Sequence, residues 1–592
     1  MALPTGPRRP ADRRLTRREL LRVGPGAAAA LALGCRSPAP SADRALDAGR
    51  VSGSIVGASH RIGHRLREGR FPEPRQVRDV PVVIVGAGIA GLSAGWKLAG
   101  SGFRDFVVLE LEPEPGGNAR WGENAVSPYP WGAHYLPTPT AESTAVRELV
   151  AEMGLIRDYG PDGEPIYDPR HLCHAPQERV FVDGRWRAGL SARDMVDPDG
   201  TGDAGDKEAL AAFEAQVRRY RGYRDARGRP AFALPVAAGT TDPQIVALDR
   251  VSMREYFDRA GWASPRLRWY VDYCCRDDYG CTLDTTSAWA GWHYFCSRPA
   301  EVEYLTWPEG NGRIVRHLVD RLGGRVRTGM LVYRVRLSGD VPAERPGVGG
   351  AGAGGSRTGA AGGAVSSGVI GAPAGLGGVE VDALDTRNET AVRFRARRCI
   401  YALPRFTAPR VIEGGSPAGV EAFTYAPWVV ANLTVDRLPE GAAWDNVLYD
   451  SPALGYVVAT HQNLRMTTGR SVLTWYLPLT VPNPETARAW MLEQDWRDWV
   501  SLILADLGQA HPGIESLVTH VDVMLWGHAM IRPVPGFVWG AARRRASAPH
   551  GPVRFAHSDL SGISLFEEAQ YHGVRAAEEV MRELGHAFAS SL

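Results

Sequence analysis

Two stretches of this 592-residue chain concentrate side chains able to bind charge or move a proton. In CCRDDYGCTLDTTSAWAGWHYF, residues 274–295, Arg276, Asp277, Asp278, Tyr279, His293 and Tyr294 stand among small and aromatic residues. Adjacent carboxylates beside an arginine shift one another's pKa, which makes Asp277 and Asp278 candidates for binding a cationic substrate or acting as a base. The same residues also read as an ion-paired helix end followed by a turn at Gly280, and both readings stay open. In WGHAMIRPVPGF, residues 526–537, His528 and Arg532 stand four apart before a Pro-rich turn, a candidate catalytic pair in which the histidine also reads as structural.

The glycine spacing of a third stretch points to a cofactor. In PVVIVGAGIAGLSAGWKLAGSG, residues 81–102, Val82 to Val85 read as a buried strand, Gly86-x-Gly88-x-x-Gly91 as a tight turn, and Leu92 to Leu98 as the start of a helix. Gly86 permits the turn, Gly88 lets backbone approach a pyrophosphate and Gly91 lets helix pack on strand, with the helix N-terminus facing the phosphates. A second strand, Phe106 to Leu109, ends at Glu110, where an acid accepts hydrogen bonds from the adenosine ribose.

Five blocks in this order resemble the flavin amine oxidase superfamily, with its phytoene-desaturase branch. Gly116-Gly117 is similar to the motif lying against the FAD pyrophosphate, although Asn118 holds the arginine position and the nearest arginine is Arg120. Gly132, Ala133 and Tyr135 resemble the segment beside the isoalloxazine ring, and Val332 the valine that packs on adenine. IYALPRF, residues 400–406, resembles the strand that closes this part of the domain. In VRFAHSDLSGISLFEEAQYHGVRAAEEV, Asp559 matches the acid on the ribityl chain, and Ala569 and Gly573 match the helix beneath the flavin. Glu568 stands where glycine is common.

The resemblance implies FAD, held noncovalently because Ser558 to Ser564 contains no cysteine. It implies an oxidoreductase moving hydride from a small organic donor, such as an amine, to flavin N5, with oxygen or a redox partner as electron acceptor. An amine must be neutral to react, and Trp131, Tyr135, Trp292, Tyr294, Trp526 and Trp539 supply material for a low-dielectric pocket. The stretch holding His528 and Arg532 lies where family members deliver a flavin-facing residue. The lysine that many members place near N5 has no counterpart: the chain's two lysines are Lys97, in the dinucleotide helix, and Lys207. Two alternatives stand beside this expectation: desaturation or isomerisation of a hydrophobic polyene-like substrate, and a non-enzymatic lipoprotein whose FAD is structural or passes electrons.

These motifs require an α/β fold, a Rossmann-type FAD-binding domain of parallel sheet plus β-meander intergrown with an α+β substrate domain. FAD-binding parts are expected at 79–150, 301–410 and 546–592, and substrate parts at 151–300 and 411–545. RVRTGMLVYRVRL, VEVDALD and AVRFRARRCIYALP alternate as strands, which puts the Gly/Ala-rich insertion 341–378 at the tip of the meander. Helical periodicity covers 206–227, 252–275 and 485–507, the last with an apolar stripe through Trp490, Leu492, Trp496 and Trp499. Asp183-Gly184 reads as a hairpin turn.

Ahead of the fold, residues 1–35 read as an export signal and 36–78 as a tether. Thr16-Arg17-Arg18 resembles the twin-arginine consensus, and the apolar run Gly24 to Leu33 is too short to span a bilayer. Ala32-Leu33-Gly34-Cys35 resembles a lipoprotein box whose cysteine takes the lipid anchor. The twin-arginine translocase carries folded cargo, which suits a cofactor inserted in the cytoplasm, so the expected location is the periplasm or the membrane surface. A net charge of +2 gives no basis for a nucleic-acid partner, and seven cysteines without CxxC spacing give none for a metal centre. An oxidising compartment would let the six cysteines beyond Cys35 pair.

Overall fold

The computed structural model describes residues 50–197, 200, 202–339, 377–414, 418–463 and 469–592. The twin-arginine stretch, Cys35 and the insertion up to residue 376 lie outside the described residues. In chain order, β1 (Gln76–Asp79) and β2 (Val82–Val85) lead through the glycine turn into α1 (Ile89–Gly100) and β3 (Phe106–Leu109). A hairpin of β4 (Glu178–Val182) and β5 (Arg185–Ala188) precedes α2 (Ala204–Gly222), α3 (Met253–Ala260), α4 (Pro265–Tyr279) and α5 (Ala288–Cys296). Helix α6 (Gly312–Leu322) is followed by β6 (Val326–Arg327), β7 (Met330–Ser338), β8 (Gly378–Asp385), β9 (Thr390–Ala396) and β10 (Arg398–Tyr401). Then come β11 (Tyr425–Val435), β12 (Asp445–Leu448), β13 (Gly455–Val458), β14 (Ser471–Pro478), α7 (Pro484–Glu493) and α8 (Trp496–Leu507). The chain closes with β15 (Val518–Ile531), β16 (Val553–Phe555) and α9 (Phe566–Glu583).

A parallel sheet has the order β6-β3-β2-β10-β16. Strands β2 and β3 are buried at every position, as strands covered on both faces must be. One face packs α1, α6 and α9 through Ile84, Leu92, Leu318 and Val574. The other packs the sheet β1-β9-β8-β7 through Val83, Val332, Val381 and Phe394. Because every strand of the parallel sheet runs the same way, Gly86, Glu110, Ala402 and Ala556 gather at one edge, the crevice where such folds bind ligands. Strands β7 and β8 pair antiparallel out to Ser338 and Gly378, so the insertion does leave from a hairpin end.

The second sheet has the order β5-β4-β12-β13-β14-β11-β15. Alternation along β11 sends Trp428 and Val430 toward α4 and α5, and Val429, Ala431 and Leu433 toward α7 and α8. The hairpin at Asp183-Gly184 is present, with both residues at positive φ. Two expected helices are each divided. Gly261 closes α3 at φ 72°, and Ser264 caps α4 ahead of Pro265. Asp495 and Asp498 form a capping box that starts α8, and Leu492 of the expected stripe is exposed.

The tether expected at 36–78 is corrected from Arg50 onward. Ser52 and Ile55 bridge to His520 and Val523, Ser59 bonds Glu112 through its amide and hydroxyl, and β1 pairs with β9. This docking uses backbone pairing and one buried valine, Val51, which a polar, Pro-broken composition conceals. The cysteines other than Cys35 are free and buried.

Candidate active site

At the crevice edge the glycine turn is held from several sides. Gly86 adopts φ 98° and donates its amide to Leu109 O at 2.8 Å. A Cβ at Gly91 would overlap the Gly86 carbonyl, and one at Gly573 would overlap the Ala90 carbonyl. Gly573 therefore lets α9 touch α1. A Cβ at Gly88 would meet only the Gly117 Cα, at 3.9 Å, so space remains before it. Gly116, at φ 127°, donates to Ala87 O at 2.8 Å. Glu110 Oε2 accepts the Ala87 amide at 2.7 Å and Oε1 the Glu112 amide at 2.9 Å, which leaves each oxygen capacity for a ribose hydroxyl. Desolvation pushes the Glu110 carboxyl up against those two bonds.

Two arginines near the turn carry unsatisfied donors. Arg120 is buried, and its Nε and Nη1 make no hydrogen bond among the described residues, although Nη1 lies 3.3 Å from Glu112 Oε2. Arg405, one residue past the Ala-x-Pro strand end, is wholly buried, its three guanidinium nitrogens unbonded among the described residues and its Cζ 3.6 Å over the Phe555 ring. Desolvation lowers the Arg405 pKa, a cost that a bound anion removes. Asn118 commits Nδ2 to Ala529 O at 2.5 Å, so it does not stand in for the missing arginine.

Asp559 is wholly buried and accepts the Arg405 amide at 2.9 Å and the Tyr425 hydroxyl at 2.6 Å on Oδ2. Its Oδ1 stands 3.0 Å from His557 Nδ1 and has no hydrogen-bond partner among the described residues. Burial raises this carboxyl, but His557 and the bonds from Tyr425 and the Arg405 amide outweigh burial and hold it below its usual range. On the Glu110 side, the Met330 amide donates to Glu110 O at 2.7 Å, which brings buried Val332 of β7 toward the adenosine end. Orphan cations, an orphan acceptor and a glycine cradle together fit FAD, whose pyrophosphate is anionic and whose ribityl chain carries hydroxyls.

The loop from Pro130 to Tyr135 ties this cradle to the second sheet. A Cβ at Gly132 would overlap the Asn118 carbonyl, and the Ala133 amide donates to that carbonyl at 2.9 Å. Three side chains of the second sheet take three successive loop carbonyls: Asn432 on Pro130 at 3.0 Å, Trp526 on Trp131 at 2.7 Å and Tyr476 on Gly132 at 3.0 Å. Asn311 Nδ2 holds Tyr135 O at 3.0 Å from the other side. Beyond the loop, His134, Tyr135, Tyr304, Trp444 and Tyr476 form a wall of rings with neighbouring centroids 4.8 to 6.0 Å apart.

Four acids lie near that wall: Asp277 and Asp278 at the end of α4, Glu178 on β4 and Asp445 on β12. The Tyr304 phenol is in the field of Glu178, Asp278 and Asp277 at once, and Tyr135 in that of Asp277 and Asp278. Burial first, then neighbouring carboxylates, hold Asp277 and Asp445 above the usual range, while burial raises Asp278 against the pull of Arg298. Arg276 pairs with Asp272 at 3.0 Å, so among the described residues the ion-paired reading of this helix end holds for the arginine and not for the two aspartates.

Residues 84–153 match the NAD(P)-binding Rossmann-like domain family. Over 75 residues the chain is 40% identical to an L-amino-acid oxidase of Daboia russelii, a match spanning 12% of this chain and 14% of that protein. Among solved structures, a putrescine oxidase triple mutant matches 86% of this chain and 99% of its own, with a TM-score of 0.60 at 15% identity. Wild-type putrescine oxidase bound to putrescine gives 0.59 at 16% identity over 86% and 100% of the two chains. Cyclohexylamine oxidase from Brevibacterium oxydans gives 0.56 at 16% identity, again over 86% and 100%. The fold is that of the amine oxidases.

Within this amine-oxidase fold both lysines are engaged elsewhere. Lys97 Nζ bonds Ala589 O at 2.7 Å and stands 3.2 Å from Glu578, and Lys207 Nζ bonds Gly200 O at 2.8 Å. His528 and Arg532 stand in different surroundings. His528 stacks on Phe406 at 4.0 Å, and burial, with Arg488 and Arg67, pushes its pKa down to about 3. Arg532 is buried beyond the end of β15, close enough to Cys281 for its charge to act on that thiol. Of the expected aromatic pocket, Tyr135 joins the wall of rings, Trp526 holds the loop at the Trp131 carbonyl, and Trp292 and Trp539 pack beside Phe213 and Trp289. Sequence reasoning missed Asn311 and Arg405, whose signals were an asparagine between two glycines and an arginine directly after the Ala-x-Pro strand end.

Proposed function

We propose that the chain is an FAD-dependent oxidoreductase that oxidises an amine bound against Tyr135, Tyr304 and Trp444. Bound FAD supplies acceptance of a hydride from a carbon next to nitrogen. The observation that carries the reading is the loop Pro130–Tyr135, whose carbonyls are fixed by the second sheet while Tyr135 joins an aromatic wall near Asp277 and Asp278. The carboxylates draw in an ammonium, and Asp277 takes its proton, a task suited to a carboxyl held above its usual range. The ring wall excludes water and favours the neutral amine. A hydrophobic polyene, the alternative substrate, would leave buried acids without partners.

Two electrons and two protons leave the amine as it becomes an imine, which water converts to a carbonyl compound and ammonia; oxygen or a redox partner takes the electrons. The signal at Thr16–Cys35 supports export by the twin-arginine translocase, with Cys35 as the lipid anchor, and the cysteine-free stretch Ser558–Ser564 supports noncovalent FAD. Turnover of the holoenzyme with an amine and an artificial acceptor should release carbonyl product and ammonia in equal amounts. Desaturation of a polyene without any amine turnover would refute the reading.

A further inference from the structure

His134 has a fixed backbone and an uncommitted ring. Gly310, at φ 56°, lies so close that a Cβ there would stand 2.7 Å from the His134 Cα, and the Asn311 amide donates to the preceding carbonyl, Ala133 O, at 3.0 Å. On the other side the Ala133 amide is held by the carbonyl of Asn118, the residue directly after Gly116-Gly117 of the cradle. The ring rests against Tyr135, Tyr476 and Trp444, with centroids 4.8, 5.0 and 5.5 Å away. One ring nitrogen turns its N–H to the Gly132 carbonyl, and the ring makes no other hydrogen bond among the described residues.

In a neutral imidazole the nitrogen that donates leaves its partner with a lone pair. Burial keeps His134 neutral, pushing its pKa down to about 4 against the pull of the Gly132 carbonyl. Yet the residue keeps part of its surface accessible, as do its neighbour Tyr135 and, beyond it, Tyr294 and Asp277, whose pKa values burial likewise dominates. Groups that are desolvated but not covered by protein border an enclosed chamber. Of the five rings in the wall, His134 alone carries a nitrogen lone pair. A carboxylate such as Asp277 favours the ammonium, which cannot react, whereas a weakly basic imidazole accepts an N–H of the neutral amine without taking the proton. As the carbon gives up hydride, the nitrogen lone pair closes the C=N bond and positive charge builds on nitrogen. Its N–H then donates more strongly, so a bond to an acceptor tightens in the transition state.

We infer that His134 is a catalytic residue whose free ring nitrogen accepts an N–H of the neutral amine and orients the reacting carbon. This rests on the amine reading above. Anaerobic stopped-flow reduction of the holoenzyme's flavin by butylamine, benzylamine and 1,4-diaminobutane tests it. His134→Phe keeps the wall of rings and removes the acceptor. Its limiting reduction rate should fall about 10- to 100-fold, while the amine concentration giving half that rate stays within about threefold, because the carboxylates still draw in the ammonium. His134→Gln, whose amide oxygen is an acceptor, should reduce about five- to tenfold faster than His134→Phe. Both variants should keep the parent's FAD content and thermal midpoint. Reduction of His134→Phe at the parent rate, or of His134→Gln no faster than His134→Phe, would overturn the inference and leave the amine reading standing. Loss of flavin or a lowered midpoint in both variants would make the residue structural and overturn it too. Failure of all three amines to bleach the parent's flavin would overturn the amine reading, and this inference with it.

Discussion

The Arg405 amide donates to Asp559 Oδ2 at 2.9 Å while the Arg405 guanidinium, 3.6 Å over Phe555, has no hydrogen-bond partner among the described residues. The two residues follow the ends of neighbouring strands, β10 and β16, so the parallel sheet sets a buried cation and a buried acid side by side at the crevice. A chain that leaves both groups partly unsatisfied is completed by a ligand offering an anion and hydroxyls.

Arg405→Met should therefore act in opposite directions on the two forms of the protein. FAD affinity, read by recovery of flavin fluorescence on dilution, should fall about 10- to 100-fold, since bonds to charged groups contribute about 1.5–3 kcal/mol. The thermal midpoint of the apoprotein should stay level or rise, because a buried unpaired charge is removed. A lower apoprotein midpoint with unchanged FAD affinity would make Arg405 a packing residue.

Gly88→Ala separates folding from cofactor binding. A methyl group there makes only ordinary contact with Gly117 and sits at φ −72°, so the apoprotein should fold with its thermal midpoint little changed. The methyl would occupy the space through which backbone meets the pyrophosphate, and FAD affinity should drop at least about tenfold. Gly91→Ala, by contrast, meets the Gly86 carbonyl and should prevent folding.

His528→Phe should leave amine turnover within about threefold of the parent and its pH profile unmoved. The histidine is already neutral across the working range, and a phenyl ring preserves its stacking on Phe406. A lost limb of the pH profile would place His528 in the chemistry after all.

Stability should carry the signature of the acid cluster. A carboxyl whose folded pKa is raised favours its protonated form, so its penalty is absent below the ordinary range near 4 and grows as pH rises toward the folded value. Asp277 and Asp445 are both raised by burial and by neighbouring carboxylates. The substrate-free holoenzyme should lose thermal stability as pH climbs from the ordinary carboxylate range toward neutrality, and Asp277→Asn should flatten that slope. A steeper slope in Asp277→Asn would contradict the assignment.

The cradle was legible because its constraints are local: Gly86, Gly88 and Gly91 answer to clashes and close approaches made within one turn, and Glu110 braces that turn through Ala87. The chamber was not, because Glu178, Asp277 and Asp445 come from three distant segments and meet only through the parallel pairing of β4 with β12 and the docking of α4. His528 and Arg532 were singled out by residue type and place in the chain; His528 lies within β15 and Arg532 just past its end. Arg405 gave no periodic signal, since its role depends on a sheet neighbour 154 positions away.

The most direct test is the visible spectrum of the full-length holoenzyme under anaerobic conditions as an amine is added. Loss of the oxidised flavin band, with slow recovery when air is admitted because no lysine serves the site, is the expected result. An unbleached flavin with every amine, or a correctly folded protein that carries no flavin, would contradict the assignment of this chain as an FAD-dependent amine oxidoreductase.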